Sequence, residues 1–343
     1  LCVPLSLANL PNDCDYAILE MGMNHAGEIA DLVKIADPDI VMCTTVGKAH
    51  IEAFGSIEKI AQAKQEIYKE AGPEAIRIYN LDNPFTLKMY EEEKRQFTNN
   101  NVDANRVDVN NTYAKGRIFC FSSVHSNAEV SFRLLEAQAN YLAFEGHIGR
   151  VKGQAKVNIF GVQNINNLMA AATMAYAAGL SPEKIWQALP LCQTTWGRNQ
   201  WVKLKSGAQM IFDGYNANPD SMSALFENIK ILSCKGKRVG VFGEMRELGS
   251  AAEESHFEVG RLAGQSNLDV VWFSGPHAEA FGAGLRSSGF SKNLILSDSY
   301  NDLLANEVAN MVRGEDTVFV KGSRGNQLER FVLACNPIDF FEK

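Results

Sequence analysis

Short apolar runs alternate with longer amphipathic segments along most of this chain, as expected when strands alternate with helices. In the first part, apolar runs at residues 16–19, 40–44 and 75–79 predict buried strands. Amphipathic segments at residues 26–36 and 56–70 predict helices between them. Because strands joined through helices pair mainly in parallel, the pattern predicts an α/β fold with a largely parallel sheet.

The pattern changes between about residue 102 and residue 160, where apolar and polar positions alternate. Segments 128–132 and 141–144 alternate in the way that predicts antiparallel strands. An alanine-rich helix is predicted at residues 164–178, and a second helix at residues 181–189.

A second α/β block begins at Trp201. The polar stretch at residues 193–195, just before Trp196-Gly197-Arg198, marks the boundary between the blocks. We therefore predict two domains, residues 1–195 and residues 196–343. The strands predicted in the second block are residues 209–213, 238–242, 269–273 and 317–320.

Charge and composition narrow the class of protein. The 343 residues include 33 Lys and Arg against 40 Asp and Glu, and the net charge of −7 argues against a nucleic-acid partner. No apolar run approaches the roughly 18–20 residues that a membrane span needs. The seven cysteines are scattered singly and form neither a disulfide framework nor a metal cluster. We expect a soluble, cytosolic protein.

Polar side chains follow almost every predicted strand, where open parallel sheets bind their ligands. Each has an ordinary explanation when taken alone, because loops at strand ends are usually polar. Glu20 is either a partly buried carboxylate suited to Mg²⁺ or a capping or ion-paired residue, and Lys64 is by default a surface lysine. The candidates are Glu20, residues 44–52, Asn80, Asp82, and residues 213–218, 244–247 and 321–324.

The wording and order of six short segments are more specific than any single residue. They read EMGMNHAGEI (20–29), AHIEAFGS (49–56), AKQEI (63–67), DGYNANPDSM (213–222), GEMRELG (243–249) and VKGSR (320–324). In this order they resemble the Mur ligase family, over nearly the whole chain. The YNANP and KGSR strings resemble the members that add D-alanyl-D-alanine to UDP-N-acetylmuramoyl-tripeptide.

The resemblance implies that ATP phosphorylates a substrate carboxylate and that an amine then attacks the acyl phosphate to form an amide. Holding several anions together requires metal ions and cationic side chains. By the resemblance, Glu20 ligates the Mg²⁺ that bridges the ATP phosphates, and His50 binds a second Mg²⁺ near the acyl phosphate. Lys64 matches a lysine that is carbamylated in this family and then ligates metal. The implied catalytic residues are Lys64, His50 and Arg198.

The resemblance also assigns the nucleotide contacts. Asn164 and Asn167 fall where the family reads adenine, although the usual GRHN string has become GVQN, and Asn164 is equally suited to capping a helix. Arg198 would reach the γ-phosphate when the domains close, and Asp213 would contact the ribose.

Six further residues are implied in substrate binding. Three would line the cleft between the domains, namely Tyr215, Asn216 and Asn218. Three others would hold the carboxylate of the peptide or dipeptide, namely Lys321, Ser323 and Arg324. The alternative for this last motif is an anion-binding strand end without a catalytic role.

The chain departs from the family pattern at a few positions. Thr45 stands where Asn is usual, Glu244 where Asp is usual, and Cys2 where Gly is usual. The family's phosphate-binding loop, G-x-x-x-x-G-K-[ST], is not found, since the Gly-Lys pairs at 47–48 and 236–237 lack the other required residues.

The chain starts with Leu1, and residues 1–5 resemble the stretch that follows that loop. We therefore expect residues 1–195 to be the ATPase-type central domain without its first strand and phosphate loop, and residues 196–343 to be the Rossmann-like C-terminal domain. On this reading about one domain, roughly 100 residues, precedes Leu1 in the parent protein, and the chain alone is inactive.

The resulting expectation is an ATP-dependent amide ligase of peptidoglycan precursor synthesis. Its substrates would be UDP-N-acetylmuramoyl-tripeptide and D-alanyl-D-alanine, its cofactors ATP and two Mg²⁺, and its form a cytoplasmic monomer. One alternative is another Mur ligase or a folylpolyglutamate synthetase, against which the YNANP string argues. A second is a non-catalytic binding module, against which the joint presence of Glu20, His50 and Lys64 argues.

Overall fold

A computed structural model describes residues 2–47, 51–99 and 117–340 of the chain. The chain divides into two compact units. The first consists of Leu1–Arg133, Glu145–Ala155 and Ile165–Leu189, and the second of Leu134–Phe144, Lys156–Asn164 and Pro190–Lys343. Within the described ranges, none of the helices is both long and apolar enough to cross a membrane.

The first sheet has six strands, which lie in chain order. Its first four strands pair in parallel. Two-residue connections follow the fourth and fifth strands and leave room only for antiparallel pairing. The strands are β1 (Ile40–Cys43), β2 (Ile76–Asn80), β3 (Ile118–Phe121), β4 (Val130–Gln138), β5 (Tyr141–Ile148) and β6 (Val151–Val157). The predicted change from parallel to antiparallel pairing is confirmed.

Seven helices are described up to residue 188, and the helices predicted from the periodicity are among them. Ser56 and Ser181 cap two of them, each accepting a hydrogen bond from a backbone N–H of the first turn. The helices are α1 (Cys2–Ala8), α2 (Glu28–Ala36), α3 (Ile51–Phe54), α4 (Ile57–Lys69), α5 (Pro84–Asn99), α6 (Asn164–Ala177) and α7 (Pro182–Ala188).

The strand predicted at residues 16–19 is wrong. This run is irregular and solvent-exposed, with Tyr16 57% and Ile18 85% exposed. An apolar run forms a strand only where a neighbouring strand satisfies its backbone N–H and C=O groups. None of the described strands pairs with this run, because β1 is hydrogen-bonded only to β2.

The second sheet also has six strands, in the order β11-β10-β9-β12-β8-β7. All pair in parallel except β7, which runs antiparallel along the edge. The four strands predicted in this block are all present. The strands are β7 (Gln200–Lys203), β8 (Gln209–Asp213), β9 (Arg238–Gly243), β10 (Val270–Ser274), β11 (Asn293–Ser297) and β12 (Thr317–Lys321).

Helices cover both faces of this sheet, so its central strands are buried on both sides. Phe242 packs into one hydrophobic cluster and its neighbour Val241 into the other. Gly260 and Gly284 allow two helices to pack closely, since a Cβ atom on either would lie within 2.0 Å of a backbone oxygen. The helices are α8 (Pro219–Ile231), α9 (Ala252–Gly264), α10 (Ala278–Ser287), α11 (Asp302–Met311) and α12 (Glu329–Ala334).

Arg77 is a buried cation in the first unit, on β2. Its guanidinium donates hydrogen bonds to four backbone carbonyls, including those of Tyr68 and Ala71 at the end of α4, and lies 3.4 Å from a Glu93 carboxylate oxygen. A buried charge is tolerated only when it is paired and hydrogen-bonded. Arg77 therefore ties the end of α4 to the sheet.

We predict that Arg77→Leu lowers the free energy of unfolding by about 3 kcal/mol, because it leaves buried carbonyls and Glu93 without their donor. Urea denaturation measures the change. Arg95→Leu is the matched control, since Arg95 is exposed and pairs with Glu91 at the surface, and its effect should stay within about 0.5 kcal/mol. Equal midpoints for the two variants would contradict this account.

Candidate functional site

The carboxyl end of β1 continues into a loop that three side chains hold in place. They donate hydrogen bonds to backbone carbonyls of residues 44–46: Lys64 through Nζ (2.8 Å), Asn80 through Nδ2 (2.8 Å) and Asn83 through Nδ2 (2.9 Å). Lys64 comes from α4, Asn80 is the last residue of β2, and Asn83 lies in the turn that follows it. The structure thus brings Lys64 and Asn80 to the strand end where ligands bind in parallel sheets.

Asp82 joins the ends of β2 and β3. One carboxylate oxygen accepts a hydrogen bond from the Ser122 hydroxyl, and the other accepts from the backbone N–H and the hydroxyl of Ser123, each at 2.7 Å. The sequence reasoning missed both serines. Their position directly after the apolar run at residues 118–121, which was not predicted as a strand, was the available signal.

Two carboxylates organise the segment that follows Glu20. Glu28 accepts from the backbone N–H groups of Asn24 (2.6 Å) and His25 (3.2 Å), and these bonds hold the pKa of Glu28 below its usual range. Glu66 accepts from Gly27 N–H (2.8 Å) at the start of α2, where a negative charge is favourable. Glu28 and Glu66 therefore fix the backbone of residues 24–27, between Glu20 and α2.

Of the three predicted metal ligands, the structure describes two, Glu20 and Lys64. Glu20 is exposed rather than partly buried, because the apolar run before it is not a strand. Lys64 is half-buried, and His50 lies outside the described residues. The part of the chain that the structure describes contains no group of three His, Cys, Asp or Glu side chains placed to hold a metal ion.

Asn164 and Asn167 differ in burial at the start of α6. Asn164 is buried, and its Nδ2 donates to the Phe160 carbonyl at 2.7 Å, as a residue that shapes the helix start does. Asn167 is exposed. In the GVQN segment just before the helix, Gln163 Oε1 accepts a hydrogen bond from Asn228 Nδ2 at 2.8 Å.

At the carboxyl ends of β8 and β12, the motifs DGYNANP and KGSR meet. Lys321 lies opposite Asp213 in the strand register, and its Nζ atom is 2.5 Å from Asp213 Oδ2 and 3.0 Å from the Asn216 carbonyl. Ser323 is buried, and its Oγ accepts from the Arg246 backbone N–H at 3.1 Å. Residues more than 100 positions apart thus form one contiguous cluster.

Two exposed arginines of the second unit rest on aromatic rings. The Arg198 guanidinium carbon lies 4.3 Å from the centre of the Tyr215 ring, and that of Arg324 lies 4.9 Å from the Trp196 ring. Arg324 also contacts Glu329, with 2.5 Å between Nη1 and Oε1. Both guanidinium groups are therefore preoriented and remain reachable from solvent, as anion binding requires.

The asparagines of the YNANP string have structural partners. Asn218 caps α8, where its side chain accepts from the Ser221 N–H at 2.8 Å and the Ser221 hydroxyl accepts from the Asn218 N–H. Asn216 Oδ1 accepts from the Ala217 N–H at 2.8 Å. These bonds explain the Asn types at both positions without a ligand.

His256 orders the loop after β9, which carries Glu244. Its imidazole is fully buried; Nδ1 donates to the Ala252 carbonyl (2.7 Å), and Nε2 accepts from the Met245 N–H (3.0 Å). Burial, together with the stacked imidazole of His277, lowers the pKa of His256 to about 4. A neutral His256 is therefore needed to hold the loop.

We predict that acid destabilises the protein through His256. The unfolded chain protonates this imidazole near pH 6.5, whereas the folded chain does so only near pH 4, so unfolding is favoured increasingly as the pH falls through this window. The loss should reach roughly 3 kcal/mol at the acid end.

Chemical denaturation at several pH values measures this loss. In His256→Gln, whose side-chain oxygen can still accept from Met245 N–H, the pH dependence should be flatter by that amount. The exposed His125 provides the control His125→Gln, which should leave the slope unchanged. Parallel curves for wild type and His256→Gln would rule the explanation out.

Two domain models of one enzyme family match this chain in succession. The model for the Mur ligase middle domain matches residues 1–175, and the model for the Mur ligase glutamate ligase domain matches residues 197–324. The chain therefore belongs to the Mur ligase family.

Individual relatives agree with this assignment. Over 331 residues the chain is 29% identical to the UDP-N-acetylmuramoyl-tripeptide–D-alanyl-D-alanine ligase of Bacillus subtilis, covering 96% of this chain and 66% of that protein. Crystal structure I of MurF from Acinetobacter baumannii matches with a TM-score of 0.81 and 26% identity, covering 97% of this chain and 67% of the other.

MurF ligase from Thermotoga maritima, solved in complex with ADP, matches with a TM-score of 0.77 and 25% identity, covering 97% and 70%. The chain thus spans about two thirds of the length of the relatives it matches.

Proposed function

We propose that this chain forms part of an ATP-dependent amide ligase that joins D-alanyl-D-alanine to UDP-N-acetylmuramoyl-tripeptide in peptidoglycan precursor synthesis. The observation that carries the proposal is the cluster in which the DGYNANP and KGSR motifs meet through Lys321 and Asp213. The names of the relatives at 25–29% identity support the choice of substrates.

The proposed reaction has two steps. The terminal carboxylate of the tripeptide attacks the γ-phosphorus of ATP, which forms an acyl phosphate and releases ADP. The amine of D-alanyl-D-alanine then attacks the acyl carbon, and phosphate leaves from the tetrahedral intermediate as the amide forms. Because both steps bring negative charges together, catalysis depends mainly on cations and on orientation.

The nucleotide contacts follow from exposure and chemistry. Asn167 is exposed and offers an amide that can both donate to and accept from adenine. The buried Asn164 would act by holding the start of α6. Asp213 would accept from the ribose hydroxyls, and Arg198, already stacked on Tyr215, would contact the γ-phosphate.

Mg²⁺ would be held by Glu20, by His50 and by Lys64 after carbamylation. The oxygen donors of Glu20 and of a Lys64 carbamate fit, since Mg²⁺ at nucleotide sites takes one or two protein carboxylates and completes its shell with water and phosphate oxygens. A Mg²⁺ ion held by these residues would supply positive charge to offset the negative charge of the phosphates. Lys64 Nζ now donates to the Thr45 carbonyl, and a carbamate there would replace this positive donor with a negative acceptor.

Arg324 is the proposed partner of the dipeptide carboxylate, because its guanidinium is exposed and planar and so suited to bidentate binding. Tyr215, Asn216 and Asn218 would contact the substrate beside it. We also propose that the enzyme is a monomer. We place it in the cytoplasm, where its nucleotide-linked substrate would be available.

Nucleotide binding gives the first test of the function. Arg198→Leu should weaken the binding of the non-hydrolysable ATP analogue AMP-PNP with Mg²⁺ about tenfold and leave ADP binding unchanged, because only the analogue carries a γ-phosphate. Isothermal titration calorimetry measures both affinities. Arg95→Leu, on an exposed helix face, serves as the control and should change neither. Failure of the wild-type chain to bind either nucleotide would contradict the proposal.

Selectivity for the dipeptide gives the second test. The wild-type chain should bind D-alanyl-D-alanine but not single amino acids or D-alanyl-D-alanine amide, because the carboxylate is the recognised group. Arg324→Leu should lower dipeptide affinity at least tenfold. Preference for L-glutamate would instead favour a folylpolyglutamate synthetase. The absence of binding to nucleotide and to every amino acid tested would favour a non-catalytic module.

A further inference from the structure

Lys321 is a buried cation at the site proposed above. Its side chain is only 2% exposed, although it is the last residue of β12 and stands at the edge where ligands bind. Two of its three ammonium hydrogens are directed to Asp213 Oδ2 and to the Asn216 carbonyl. A buried ammonium is stable only with such partners.

The two cations of the KGSR motif differ in accessibility. The Arg324 side chain is 44% exposed, whereas Lys321 is closed off from solvent. A peptide carboxylate that approaches from solvent can therefore reach Arg324 but cannot reach the Lys321 ammonium without displacing Asp213. The same motif thus contains one solvent-exposed and one buried positive charge.

Lys321 contacts the loop at residues 213–218 at both its start and its middle. The second carboxylate oxygen of Asp213 accepts from the Asn199 N–H at 3.3 Å, so the Asp213 carboxylate is held from two sides. The Asn216 carbonyl, three residues on, is fixed by the same ammonium. This loop also carries Tyr215, the ring on which Arg198 rests.

We infer that Lys321 is a positioning residue for the nucleotide side of the site, which orients Asp213 and the loop at residues 213–218, and that it does not bind the peptide carboxylate. The inference rests on the proposed function for the identity of the two ligands. By this inference, Arg324 binds the peptide carboxylate and Lys321 does not.

Ligand selectivity is the first readout, since loss of a purely structural residue would lower the affinity for both ligands together. Lys321→Met should lower ADP affinity at least tenfold and change D-alanyl-D-alanine affinity less than twofold, whereas Arg324→Leu should show the reverse. Adding Lys321→Met to Asp213→Asn should cause no further loss of ADP affinity, because the two residues act as one unit. The exposed Lys203 provides the matched control Lys203→Met.

Loop order is the second readout and requires no ligand. Hydrogen exchange should show lost protection at residues 213–218 in Lys321→Met and unchanged protection in Lys203→Met. The double variant Asp213→Asn/Lys321→Met, which removes both buried charges, should resist urea better than Lys321→Met alone.

The outcomes separate the inference from the function. Loss of dipeptide affinity with retained ADP affinity in Lys321→Met would overturn the inference, and so would unchanged exchange at residues 213–218. If wild type binds neither ligand, the proposed function fails. The exchange pattern then still decides whether Lys321 positions the loop.

Discussion

The parallel pairing of β12 between β8 and β9 is the constraint on which the second unit depends. This register places Lys321 opposite Asp213, 108 residues away in sequence, and buries the pair at the carboxyl edge of the sheet. Strands β7 to β11 follow the chain order across the sheet, whereas β12 returns to lie between β8 and β9. Open parallel sheets form ligand sites where the strand order reverses in this way. Because a buried ion pair tolerates little displacement, it fixes the positions of the loops that follow β8 and β12.

The first unit applies the same principle with weaker, mainly neutral contacts. Asn80 and Asn83 hold the loop after β1, and Asp82 holds the turn after β3, so polar side chains at the strand ends bind the backbone of neighbouring loops. Lys64 is the cation in this arrangement, and it donates to a carbonyl rather than to a carboxylate. A lysine that donates to a carbonyl is held less strongly than one in an ion pair such as Lys321–Asp213, because hydrogen bonds between two charged groups are stronger.

Much of the fold could be predicted because strands buried on both faces have near-continuous apolar sequences, as residues 238–242 and 317–320 show. The failures have physical reasons. Residues 16–19 have the same apolar pattern but no described partner strand, so Glu20 after them is exposed. Helix α5 is too polar to stand out, and β7 and β11 are edge strands with weak patterns. The roles predicted for Glu20, His50 and Lys64 rest on resemblance and stay predictions.

The sequence by itself determined the family and the chemical groups near the site, because short motifs such as YNANP and KGSR are local and can be read without the fold. Only the tertiary structure decided which of those groups are accessible. Lys321 and Arg324 are three residues apart and carry the same charge, yet one is buried and the other exposed. Burial depends on neighbours contributed by distant strands and helices, and no local pattern of residues specifies them.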